Sequence, residues 1–180
     1  MNISGIEFEV VDTSDHTVED WLIFLTGNEH DDEIGDSRYL QLCTSNIRVS
    51  HRYLRVNDAG IVDAKGSCND LNTVFHAFQF FDNGAIYQFR TMATNVQYNN
   101  YILCMDDGIL KARPYQKSDL HDTSAQFELS FHGEDSSRFA LKSCSDNMFL
   151  KFDAKGYFVK HPANDERPNY FFLTRYKKKK

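Results

Sequence analysis

The chain has 180 residues, 41% apolar and 26% charged, with a net charge of −6. That is the composition of one globular domain with a core of its own; it excludes wholesale disorder and a disulfide-stapled miniprotein. Fifteen Phe and nine Tyr against one Trp and three Pro favour strands.

In chain order, Met1 to Gly5 carries no basic stretch and no long apolar stretch, so no signal peptide is expected. The expectation is then a protein of the cytoplasm or nucleus, one that reaches the outside by a leaderless route, or a processed form of a longer chain. Ile6-Glu7-Phe8-Glu9-Val10 alternates like a strand. Thr17 to Asp20 resembles a capping box ahead of Trp21 to Leu25, which predicts one short helix. Trp21 to Leu25 is also the longest apolar stretch, far too short to span a membrane. The first 38 residues hold eleven acidic residues against one basic, a net of −10; residues 39–137 carry −3 and residues 138–180 carry +7. The division expected is an acidic N-terminal extension (1–38), a folded domain (39–176) and a basic tail (177–180).

From residue 39 one pattern recurs. Tyr53-Leu54-Arg55-Val56-Asn57-Asp58-Ala59-Gly60-Ile61-Val62, Tyr101-Ile102-Leu103-Cys104-Met105-Asp106-Asp107-Gly108-Ile109-Leu110 and Phe149-Leu150-Lys151-Phe152-Asp153-Ala154-Lys155-Gly156-Tyr157-Phe158 place their glycines 48 residues apart. Each reads as a hairpin: an aromatic–aliphatic strand, an Asn or Asp turn, a glycine for the positive φ, and a second strand. A strand precedes each hairpin, at Tyr39 to Leu42, Ile86 to Phe89 and Phe139 to Lys142. Another follows each, at Val74 to Phe81, Phe127 to Phe131 and Tyr170 to Tyr176. Three four-strand repeats of about 48 residues predict an all-β fold, the β-trefoil: a barrel closed by three hairpins. A repeat must bury the same position in each copy. Tyr53, Leu54, Tyr101, Ile102, Phe149 and Leu150 are therefore expected core residues, and Gly60, Gly108 and Gly156 turn residues.

Among proteins of that fold, the hairpins resemble the fibroblast growth factor family. Tyr53 to Asp63 is similar to its first hairpin, with Asp70 and Thr73 placed like its D…T pair. Tyr101-Ile102-Leu103-Cys104-Met105 with Gly108 and Leu110 is close to its Y-L-C-M-x-x-x-G-x-L segment; Phe127-Glu128 and Phe171-Phe172-Leu173 resemble later strands. A more distant resemblance, through Phe139 to Ser143 followed by Phe149-Leu150, is to fascin- and hisactophilin-type trefoils. The first resemblance implies a monomeric signalling ligand for a receptor ectodomain, with heparan sulfate at the third repeat. The second implies an intracellular module that binds actin or the tail of a membrane protein. Where the growth factors carry a basic pair, this chain has Asp153, Ala154 and Lys155.

The chemistry-bearing residues point to binding. There is no H-E-x-x-H, no G-x-S-x-G and no phosphate loop, so no enzyme and no cofactor is expected. Cys43, Cys68, Cys104 and Cys144 have no zinc or redox spacing. His132-Gly133-Glu134-Asp135 reads as a polar turn. The aromatics belong to the repeats, which leaves no stacking platform for nucleic acid. The basic set Lys142, Lys151, Lys155, Lys160, Arg167 and Arg175 is the candidate anion or heparan surface.

Overall fold

The computed structural model describes residues 2–3, 6–10, 12, 39–44, 52–79, 86–91, 100–131, 138–160 and 169–178. Twelve strands run through them: β1 (Asn2–Ile3), β2 (Ile6–Val10), β3 (Tyr39–Thr44), β4 (Arg52–Val56), β5 (Val62–Gly66), β6 (Phe75–Gln79), β7 (Ile86–Thr91), β8 (Tyr101–Asp106), β9 (Ile109–Pro114), β10 (Phe127–Phe131), β11 (Phe139–Ser143) and β12 (Phe171–Lys178). Three short 3-10 turns, Leu71–Thr73, Lys117–His121 and Thr123–Ala125, are the only helical pieces among the described residues. The helix read at Thr17 to Leu25 lies outside them.

Six strands close a barrel. β3 pairs with β6, β6 with β7, β7 with β10, β10 with β11, β11 with β12, and β12 returns to β3, every pair antiparallel. Closure removes the free edges that an open sheet would present. Leu40, Leu42, Phe75, Phe89, Phe127 and Phe139 are among the side chains that fill the interior. The hairpins β4–β5 and β8–β9 attach through β3 and β7. In the third unit the bridges Lys142↔Phe149 and Phe152↔Phe158 take the same places.

The hairpins lock one another. The Gly60 carbonyl accepts from the Ala112 amide at 2.9 Å, and the Gly156 carbonyl accepts from Ala64 at 2.7 Å. Gly156 has φ +89°, and a Cβ there would lie 2.7 Å from the Ala64 carbonyl oxygen. Only glycine satisfies both the angle and the approach.

The first and third turns are the same object. Asn57 Oδ1 accepts from the Ala59 and Ile61 amides at 2.9 and 3.1 Å. Asp153 Oδ1 accepts from Lys155 and Tyr157 at 2.8 and 2.9 Å. Two repeat periods separate these acceptors, and the residue midway between them is Met105, which has no oxygen to offer. The second hairpin therefore turns differently. Asp106 pairs directly with Ile109, and Asp107 (φ 50°) and Gly108 (φ 72°) make the tight two-residue turn of a β-hairpin.

That difference corrects the expected core. Cys43 stands opposite Tyr53, Arg90 opposite Ile102, and Lys142 opposite Phe149. The partner of Tyr53 and Phe149 in the second unit is thus Ile102, one residue later than the repeat spacing implies. Leu54, Leu103 and Leu150 reach the central core. Ile102 is buried in a side cluster with Cys104 and Ala125. Tyr53 and Tyr101 are half-buried, and Phe149 is 39% exposed. Tyr53 and Phe149 stand beside an inward Leu and so point outward on their strands, while Tyr101, two residues before Leu103, packs against the edge of the core.

Outside the barrel, two glutamines hold the loops. Gln41 Nε2 donates to the Cys68 carbonyl at 3.0 Å and to Thr73 Oγ1 at 2.6 Å. Gln88 Nε2 donates to the Asp119 carbonyl at 2.5 Å. Both side chains are buried, and each hydrogen bond satisfies an amide that burial would otherwise penalise. Ala140 occupies the matching place in β11. The Asp70–Thr73 pair is part of this arrangement, with Thr73 Oγ1 donating to the Asp70 carbonyl at 2.5 Å.

The N-terminal strand is as read from the sequence. β2 pairs with the end of β12, with Val10 opposite Tyr176, Glu9 opposite Lys177 and Phe8 opposite Lys178. Lys177 and Lys178, expected in a separate tail, are ladder residues of β12.

Candidate functional site

Among the described residues, the predicted cationic residues sit in different settings. Lys142 on β11 lies opposite Glu128 on β10, with Nζ 3.2 Å from Oε2, so its charge is compensated. Lys151 is half-buried and has an interaction partner. Lys155, in the third turn, and Lys160 are exposed. Arg175 stands opposite Leu40 on the barrel strand β12. Arg167 lies outside the described residues.

Two cations from the first unit join Lys155 at the third turn. Arg52 Nη1 donates to the Lys155 carbonyl at 2.7 Å, across 103 residues of sequence. Lys65 Nζ lies 3.6 Å from the centre of the Tyr157 ring, a cation–π contact with a ring that is itself 52% exposed. The locking bond from Ala64 to Gly156 brings Lys65 there. Lys65 on the Tyr157 ring and Arg52 on the Lys155 carbonyl thus both meet the third turn, which itself carries the exposed Lys155. The acid in that turn, Asp153, is occupied by two backbone amides. Thr44, Arg52, Asp153, Gly156 and Asn169 are among the residues that line a small seam between the first and third hairpins. Nothing in the local sequence of Arg52 or Lys65 signals this meeting.

A second feature is apolar. Met105 and Gly108 of the second hairpin face Met148, Phe149, Phe158 and Val159 across a shallow notch with Asp146 at its rim. The exposed Phe149 belongs to this notch.

Several other ionisable groups among the described residues serve the fold. Arg113 joins Asp119 at 2.6 Å and Asp122 at 2.9 Å, tying the 3-10 turns to β9. Hydrogen bonds from Ser124, with Arg113 nearby, hold the Asp122 carboxyl below its usual range. The Arg90 guanidinium lies between the Phe78 and Tyr115 rings, 4.0 and 3.6 Å from their centres. All four cysteines are free. Burial pushes the Cys43 thiol up to about 11 and also raises Cys104, so neither is an activated nucleophile. Cys68 is exposed. Asp106 pairs with Lys111 at 3.1 Å and closes the second hairpin. The His132 to Asp135 turn lies outside the described residues. Among the described residues no group of three His, Cys, Asp or Glu side chains is placed to hold a metal, and no helix is long and apolar enough to cross a membrane.

No protein-family model and no curated protein matches the chain.

Proposed function

We propose that the chain is a β-trefoil that works by binding a partner, as a fibroblast-growth-factor-like ligand with an anionic co-ligand of the heparan sulfate kind at the third hairpin. The observation that carries this reading is that Arg52 and Lys65, from the first hairpin, both contact the third turn beside the exposed Lys155. Three cations on one small face attract a sulfated chain, and such attraction falls with salt. The receptor is a protein ectodomain that meets the exposed aromatic and apolar side chains beside that face. The barrel and the threefold hairpin arrangement, with the quoted hairpin segments, support the family reading.

The test is elution from immobilised heparin, comparing the wild type with Lys65→Ala/Lys155→Ala. The variant is expected to elute at clearly lower salt, with the salt slope of its affinity reduced by roughly one for each cation removed. Equal elution of the two proteins refutes the site. A chain lacking Lys177 to Lys180 separates this face from the terminal lysines.

The free, exposed Cys68 favours a second reading, an intracellular module that binds actin or the tail of a membrane protein. Co-sedimentation with actin filaments, without retention on heparin, selects it.

A further inference from the structure

β12 outruns the barrel. Its residues Phe171 to Tyr176 are paired along one edge by β3, the last of them opposite Tyr39. On the other edge, among the described residues, β11 pairs with Phe171, opposite Phe139. From Tyr176 onward that edge is taken by β2. Among the described residues, Lys177 and Lys178 have β2 as their sole strand neighbour.

The strand that fills this place is short and patterned. Ile6-Glu7-Phe8-Glu9-Val10 alternates apolar and acidic residues, and among the described residues Phe8, Glu9 and Val10 pair with β12. Its other neighbour is the two-residue β1, with Ile3 opposite Ile6 and Asn2 opposite Glu7. A ribbon of two short strands has marginal stability by itself. Its place therefore depends on what β12 offers: backbone partners and a basic register. Glu9 stands directly opposite Lys177, and Glu7 holds the diagonal position on the same face. Directly opposed and diagonal side chains are the units of cross-strand recognition. The chain thus carries both halves of a strand-addition contact, a basic strand end and an acidic–apolar strand to cover it.

We propose that the end of β12, residues 176–178, is a strand-addition site for an extended protein segment that alternates apolar and acidic residues, and that β2 is its built-in occupant. Main-chain pairing supplies the affinity of such a site, and alternate side chains supply the selectivity. A tethered strand competes at a high effective concentration, so a partner segment enters only when β2 is weakened or outmatched. The site lies on the closing strand, away from the third-hairpin cations, and does not depend on the heparan reading.

The probe is a fluorescent peptide of residues 1–12, titrated into full-length protein. The wild-type chain, with its own β2 in place, is expected to bind it weakly. Full-length Glu7→Lys/Glu9→Lys sets like charge against Lys177 and frees the edge; it is expected to bind the wild-type peptide at least about tenfold more tightly, given the size of cross-strand charge terms. Full-length Lys177→Glu/Lys178→Glu is expected to reverse the preference, taking a peptide that carries both lysine substitutions over the wild-type peptide. The proposal is overturned if the Glu7→Lys/Glu9→Lys chain binds the peptide no better than the wild type. It is equally overturned if the β12 charge reversal leaves peptide preference unchanged.

Discussion

The second hairpin and its two companions solve one problem in two ways. In the first and third hairpins a side-chain oxygen, from Asn57 or Asp153, organises a wide turn by accepting two backbone amides. Where Met105 stands, that acceptor is missing, and the chain turns through two residues of positive φ at Asp107 and Gly108. The tighter turn shifts the preceding strand by one residue. Side chains alternate along a strand, so that shift exchanges which residues face the core. Leu103 goes in with Leu54 and Leu150. Ile102 and Cys104 go to the side cluster. The comparison teaches that a glycine period can be kept while the side-chain phase beside it changes.

The largest effect expected from this comparison is in the core. Leu103→Ala should lower the unfolding free energy by about 3 kcal/mol, as for a central leucine. Cys104→Ala should cost about 1 kcal/mol, because fewer buried atoms are lost. Urea unfolding of both proteins measures the difference, and a reversed order would mean that the second strand keeps the phase of the other two.

A smaller effect is expected at the turns. Asn57→Ala and Asp153→Ala should each cost about 1–2 kcal/mol, since each strands two backbone amides. Thermal melts of the two variants should shift by similar amounts. A large effect at one and none at the other would break the equivalence of the first and third hairpins.

The smallest effect concerns pH and belongs to the second unit alone. The Asp122 carboxyl is held below its usual range by Ser124 hydrogen bonds and by Arg113. A depressed carboxyl contributes stability above its unfolded value, about pH 4, and loses it as pH falls through the lower folded value. Asp122→Asn should therefore flatten the melting temperature at and below about pH 4 and leave the first and third hairpins untouched. The carboxylate is partly exposed, so the change is small.

Much of the fold was legible because it repeats. The glycine spacing located three hairpins, and the apolar runs on either side located all six barrel strands. Alternation in Ile6 to Val10 located β2. What misled was the leading aromatic: Tyr53, Tyr101 and Phe149 share a place in sequence, but burial depends on strand phase, which the turn sets. The candidate surface was less legible. Lys155 and Lys160 lie exposed in the third unit as the sequence suggested, while Lys142 is neutralised by Glu128 from a neighbouring strand. Arg52 and Lys65 went unnoticed because they come from the first unit.

The sequence by itself determined the elements, through local rules of alternation, turn chemistry and period. Those rules act over a few residues and can be read wherever they occur. The tertiary structure decided which elements meet: that β12 closes on β3 and then takes β2, that Gly156 abuts Ala64, and that Arg52 and Lys65 reach the third turn. Such contacts join residues as far apart as Arg52 and Lys155. They follow from barrel closure and hairpin locking, which bring distant segments together without leaving a mark in either one.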